Sequence, residues 1–522
     1  MNDLLIVFIG LAIIFYIFFL LGTSRTAILK GQNGILWFLF SLVLPPIAFL
    51  LILTKNKGEA VTVAKDNFFN NIVMDLSQPF IDLLHTSRAL LGVNISYVIE
   101  GLTYFGVVGL LAIFFNDFTG LDDIDAGRMV GILTAGITIA MLFLGATVDW
   151  IGLRKSLLIS LSLMLVGRIL LTVSPDIGVP GLWDSAHMFA MLGILGIILG
   201  YGIYQPACYA GVKQLTNEKT AAMRYAMLYA LMNLGGFLPG IISPPIRRAF
   251  GIPGVFWVYV ILTVAGIGVV YFIITKKAMK IAKEQVKEDA QGGKKDEEED
   301  VMAGMTRKEK VVYYFKNFPL RDLRFLYFVF ILIFVQTLFA HNWLTIPQYT
   351  SRAFEGFISD NFEFFVNLNP ILIFILTPMV TALTSKRDTY NMMIIGTFVM
   401  AAPTFILVLG PNFNTLIAYI LIMTIGEAMW QPRFLQWVAE IAPKNMTGIY
   451  MGIGQFPWFL TKVITAIYSG WFLMNFCPVD TPPSEMNTEM MWFIYGLIAI
   501  ISPVGLLVAR KWMIKGFKTK AD

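Results

Sequence analysis

Two acids, Glu100 and Glu427, sit inside strongly apolar stretches of this 522-residue chain. An ionisable group at such a depth is expensive and marks a path for protons, ions or a charged solute. Tyr97 and Tyr104, three residues before and four after Glu100, share its helical face. Glu100 is expected there as a protonated carboxyl or paired with another group, binding substrate or carrying protons; the plainer alternative is a neutral acid held by a neighbouring hydroxyl. Glu427 is the strongest single candidate. Gln205, Asn233, Gln336 and Asn369 are amides in apolar surroundings, and each either lines the same cavity or bonds one helix to another. Arg168, Arg433 and Lys462 are deep cations that either pair with an acid or snorkel. Arg433 follows Glu427 by six residues, about 240° round an ideal helix, so the two do not pair unless the turn at Pro432 is distorted.

Other chemistry is absent from the pattern. Cys208 and Cys477 are the only cysteines, and neither falls in a metal-type cluster. His85, His187 and His341 are widely separated, and no nucleophile-base arrangement or phosphate-cradling loop stands out. The reading is therefore of a non-enzyme with no cofactor and no metal.

The elements that hold these residues are membrane helices. Hydrophobic residues make up 57% of the chain and charged ones only 14%, against about 25% in soluble domains. Mean hydropathy is +0.71. A hydrocarbon core about 30 Å thick takes roughly 20 apolar residues to span as helix. Runs such as Leu192–Ile203 and Leu497–Val508 lack the alternation of a barrel strand, so the class is all-α and integral to the membrane. The net charge of +5 sits near span ends and in one linker, which reads as orientation in the bilayer and excludes a nucleic-acid partner.

Spans are expected near 3–22 and 34–54, then six between 91 and 276, then near 322–346, 365–385, 390–410, 413–440, 448–476 and 489–513, fourteen in all. The division is an N-terminal transmembrane hairpin (1–56), an amphipathic connecting segment (57–90), a six-helix bundle (91–276), a charged linker (277–321), a second six-helix bundle (322–515) and a tail (516–522). The first stretch has no basic leader and reads as a retained helix. The connecting segment, with Phe69, Ile72, Val73, Leu76, Phe80, Leu83 and Leu84 on one helical face, lies along the membrane surface or packs on the bundle. Lys276, Lys277, Lys280, Lys283 and Lys287, then Asp296 to Asp300, make the linker a polar tether on the cytoplasmic side. Arg154, Lys155, Lys386 and Arg387 then fall inside too, with both termini. Arg25 and Lys30 disagree: they fall in an external loop, so either the hairpin is atypical or one of its helices does not fully cross.

Gly145, Asp149, Gly152, Arg154 and Lys155 occur as Gly-Ala-Thr-Val-Asp-Trp-Ile-Gly-Leu-Arg-Lys between the second and third core spans. This resembles the signature loop of the major facilitator superfamily and implies a gating latch. Longer stretches resemble the proton-dependent oligopeptide transporters within it. They are Glu100-Gly-Leu-Thr-Tyr104-Phe105-Gly106, Gly202-Ile-Tyr-Gln205-Pro206, Met232-Asn233-Leu-Gly-Gly-Phe237, Leu368-Asn369-Pro370, and Gly426-Glu427 with Pro432 and Ala442-Pro443. The resemblance runs in order over roughly 90–515. It implies two pseudo-symmetric bundles with a binding site between them, and an acid at Glu427 facing a positive group on the substrate. Tyr97, Tyr104, Gln205, Asn233, Gln336 and Asn369, read from their polar character in apolar spans, join Glu427 as expected substrate residues, with Glu100 or Glu427 as proton carrier.

The departures are specific. The family's Glu-x-x-Glu-Arg cluster is Tyr97, Glu100 and Gly101 here, its next basic position is Val108, and its lysine before the fourth-span proline is Gln205. These cations are associated in the family with proton coupling and with holding the peptide carboxylate, so a ligand with an amino group and no obligatory carboxylate is expected unless Arg168, Arg433 or Lys462 replaces them. The function read from the sequence is a carrier of small peptides or peptide-like solutes in the cell (inner) membrane, working by alternating access with protons. The alternatives are a carrier of a non-peptide amine or neutral solute, or a non-transporting scaffold or receptor on a transporter fold.

Overall fold

The computed structural model describes residues 19–30, 32–54, 86–145, 147–216, 231–291, 321–384, 387–441 and 456–514, with isolated positions between these runs. Among the described residues the chain is helical and without strands, as hydrocarbon demands of a backbone that must satisfy its own polar groups. Nine of the described helical runs are long and apolar enough to cross a membrane.

The first half contains α3 (Arg88–Thr119), α4 (Asp123–Leu144), α5 (Leu153–Ile177), α6 (Ser185–Gln214) and α7 (Pro239–Ile273), after a short apolar pair, α1 (Gly34–Val43) and α2 (Pro45–Thr54). α7 is two spans joined at Gly251, whose φ of 69° only glycine adopts freely. Helix α8 (Lys276–Gln291) begins the linker and lays Ala278 and Ala282 against α3, which fixes the face of the molecule on which the linker leaves. The second half runs through α9 (Leu323–Ile331), α10 (Ile333–Leu344) and α11 (Ile346–Ala353), which together make one long path, then α12 (Leu368–Thr384), α13 (Thr389–Ala401), α14 (Phe413–Ile441), α15 (Phe456–Phe476) and α16 (Thr488–Ile514). Helix starts carry their own caps: Ser87 accepts from Leu90 N, Asp122 from Asp125 N and Asp388 from Asn391 N.

Each half has its own buried core, one drawn mostly from residues 89–282 and the other mostly from 325–513. They meet where α4 packs on α15 through small residues, Gly127 and Gly131 against Ala466, Ser469 and Gly470. A Cβ on Gly470 would collide with the Asp123 carbonyl, so the two backbones touch.

The N-terminal hairpin departs from expectation. The stretch expected to span at 34–54 is two ten-residue helices, each about 15 Å long, broken at Leu44 before Pro45 and Pro46. The Lys30 ammonium, just before α1, donates to the carbonyls of Ile52 and Leu53 at the end of α2, at 3.0 and 2.7 Å. The segment therefore goes down and returns to its starting level, and a lysine caps its last carbonyls. Leu36, Leu39, Val43 and Leu50 are exposed on it, as suits a lipid-facing loop that enters about half of a 30 Å core. Arg25 donates to Ser77 Oγ at 2.8 Å, and Leu21 clusters with Ile72 and with Met379 near the linker-face end of α12. Arg25 and Lys30 thus lie at the linker face. This corrects the second of the fourteen expected spans and removes the disagreement in the charge pattern. Most of the amphipathic connecting segment lies outside the described residues.

A cysteine at Gln32 should react with an impermeant thiol reagent from the same membrane face as one at Lys280. Labelling from opposite faces would restore a full crossing at 34–54.

Candidate functional site

Between the halves is a cavity of about 610 Å³. Helix α3 contributes Tyr97 and Tyr104, α6 contributes Gln205, α10 contributes Gln336, α12 contributes Asn369 and α14 contributes Glu427, while Asn233 precedes α7. The seven residues singled out from the sequence for substrate contact therefore line one space. Sequence reasoning missed other walls: Tyr201 and Tyr209 on α6, Asn342 and Trp343 on α10, Gln431 on α14 and Trp458 on α15. Aromatic and amide residues in apolar helices look alike whether they face a core or a cavity, so no local signal separates these from packing residues.

Glu427 is buried and accepts a hydrogen bond from Asn369 Nδ2 at 2.8 Å, and the same amide donates to Thr424 Oγ1 at 3.0 Å. Opposite lies an aromatic wall in which Tyr104 and Tyr201 have ring centroids 4.8 Å apart and Tyr97 stacks on Tyr204 at 6.2 Å. On the α10 side, Phe339 meets Trp458 edge to face at 5.0 Å. The result is one carboxyl with an orienting amide, further amides and flat apolar rings, which suits an organic solute carrying an amine and amide-like groups.

Glu100 is elsewhere. It does not line the cavity but forms a two-pronged ion pair with Arg168 of α5. Arg168 also donates to Thr263 Oγ1 of α7 at 2.5 Å, and Thr103 donates to Glu100 at 3.1 Å. The pair ties three helices of the first half together behind the cavity wall. Arg433 donates to the carbonyl of Thr384, the last residue of α12, and also lies off the cavity lining. Lys462 does line it.

A sequence profile of the Major Facilitator Superfamily matches residues 93–466. The chain belongs to the major facilitator superfamily. No curated protein matches it in sequence. Solved structures share its fold. A proton-dependent oligopeptide transporter aligns with a TM-score of 0.60 at 18% identity, over 82% of this chain and 99% of its own. A POT family transporter in complex with 5-aminolevulinic acid gives 0.59 at 16%, over 82% and 97%. A peptide transporter POT in complex with sulfate gives 0.60 at 15%, over 82% and 95%.

On the face away from the linker, this major facilitator protein is closed by polar contacts between its halves. Arg352 of α11 grips Asp123 of α4, with both contacts at 2.7 Å, and Gln348 donates to Asn116 Oδ1 at 2.7 Å. Arg247 pairs with Glu363, and Arg248 donates to Asn361 Oδ1 at 2.8 Å. In sequence these residues are ordinary charges near span ends; only the approach of the two halves makes them a closure. On the linker face, Arg154 donates to the Tyr271 carbonyl at 3.1 Å and stacks over that ring, Lys155 is exposed, and Gly152 takes a φ of 83°. Gly145 caps α4. The side chain of Asp149, the acid of the signature loop, lies outside the described residues.

Two outcomes follow. Breaking a buried pair from one side typically costs about 3–5 kcal/mol. Arg168→Met should therefore lower unfolding stability in detergent by that order, and Glu100→Gln added to it should recover most of the loss; equal loss in both would show that the pair is not the cause. Asp123→Asn should open the far face, read as at least a several-fold faster reaction of a cysteine at Asn342 with impermeant reagent added there; an unchanged rate would show that this ion pair does not hold the face shut.

Proposed function

We propose that this protein is a secondary carrier of small peptides or peptide-like solutes, driven by protons, which presents its central cavity to one membrane face at a time. The single observation that carries this reading is Glu427, oriented by Asn369, in a cavity lined by amides and aromatic rings between two helical bundles. The volume lies within the range of about 300–1,000 Å³ common to small-molecule sites. A carboxyl there can face the amine of a solute when charged and accept a proton when the solute leaves. A proton moving inward gains about 2.3 kcal/mol per 100 mV of membrane potential. We assign the proton to Glu427 and not to Glu100, because the Arg168 guanidinium already occupies both oxygens of Glu100.

The closed far face and the small-residue contact of α4 with α15 support rocking of two rigid halves about the cavity. In this reading the signature loop, with Gly145, Asp149, Gly152, Arg154 and Lys155, acts on the other face, and the linker lies in the cytoplasm of a cell or inner membrane.

The test is uptake by the purified full chain in liposomes, with labelled di- and tripeptides and an inwardly directed proton gradient. The gradient should accelerate uptake. Losing one partner of a buried charge interaction costs about 2–5 kcal/mol, so Glu427→Gln should weaken peptide binding at least roughly tenfold. Unchanged binding by that variant, or uptake of simple amines with no response to peptides, would overturn the peptide reading.

A further inference from the structure

The three deep cations have different surroundings. Arg168 is held by Glu100 and Thr263, and Arg433 reaches the end of α12. Of the three, only Lys462 opens onto the cavity. It is 9% exposed, and its Nζ lies 3.4 Å from Thr138 Oγ1 and 3.5 Å from the Thr134 carbonyl, both at the outer limit of a hydrogen bond. The Trp458 ring centroid is 5.7 Å away. Among the described residues no carboxylate comes within ion-pair distance of it. An ammonium with three donors, taken out of water and given two long contacts, is under-compensated, and an anion entering the cavity would supply what is missing.

We propose that Lys462 receives the acid group of the transported solute, so that the cavity selects a zwitterion, its amine toward Glu427 and its carboxylate toward Lys462. This rests on the reading of Glu427 above. The clamp is supplied by α15 of the second half, whereas Val108 and Gln205 stand in the first half where the resemblance led one to look for cations. Its position adds a consequence. Thr134 and Thr138 belong to α4, so Lys462 is itself a contact between halves. A bound carboxylate competes for the same ammonium, and occupancy of the site then removes a polar contact between α4 and α15, across which the halves would tilt.

The test is competition binding to the purified full chain, using dialanine, its C-terminal amide and its N-acetyl derivative. On the unaltered protein, dialanine should bind at least tenfold more tightly than the amide. Lys462→Gln should abolish that preference while still discriminating against the N-acetyl form, and Lys462→Arg should retain it. Glu427→Gln should do the reverse, losing discrimination against the N-acetyl form. If the unaltered protein binds acid and amide alike yet still rejects the N-acetyl form, the Lys462 proposal fails and the Glu427 reading stands. If it accepts the N-acetyl form as readily as dialanine, the Glu427 reading fails, and this proposal with it. The acid-amide comparison needs no variant, so instability of Lys462→Gln would not blunt it.

Discussion

A charge inside hydrocarbon has no water to turn to, and the solutions to that one problem organise this molecule. Glu100 and Arg168 neutralise each other and borrow hydroxyls from Thr103 and Thr263, so a costly pair becomes a knot between α3, α5 and α7. Glu427 is given an amide and a cavity. Lys462 is given a cavity, a ring and two distant oxygens. Lys30 ends on the free carbonyls of α2. The charges paired with an opposite charge hold helices together, and Glu427 and Lys462 face the space where a solute can enter.

The contacts that join the halves are of two kinds. Along α4 and α15, Gly127, Gly131, Ala466 and Gly470 bring backbones together by dispersion and shape, which tolerates a change of tilt. At the far face, Arg352 with Asp123 and Arg247 with Glu363 are directional and break or hold as units. In the carrier proposed above, the balance between this closed form and an open one would be set by what those side chains gain or lose when water reaches them. Arg247 and Arg352 are only partly buried, so each pair loses less on meeting water than a fully buried pair would.

The N-terminal segment follows the same logic from outside the bundle. Two ten-residue apolar helices cannot cross a bilayer alone, yet their exposed leucines cannot sit in water. Folding down and back satisfies both limits, with Asn33 and Lys30 serving the helix ends at the polar level.

The sequence by itself determined the class, an all-α membrane protein of the major facilitator type, and which ionisable residues lie within apolar helices, because composition and helical period report local surroundings. Glu427 with Asn369 was legible because both stand in recognisable motifs within single spans. Tertiary structure alone decided partners. Glu100 and Arg168 are far apart in sequence, and nothing local says that the guanidinium turns to the acid and away from the cavity. Likewise the hydropathy of 34–54 fits one span as well as two half-length helices; the choice falls to Pro45, Pro46 and a lysine that must find carbonyls. Local pattern fixes where a group lies along its helix, while which group it meets depends on the packing of helices distant in the chain.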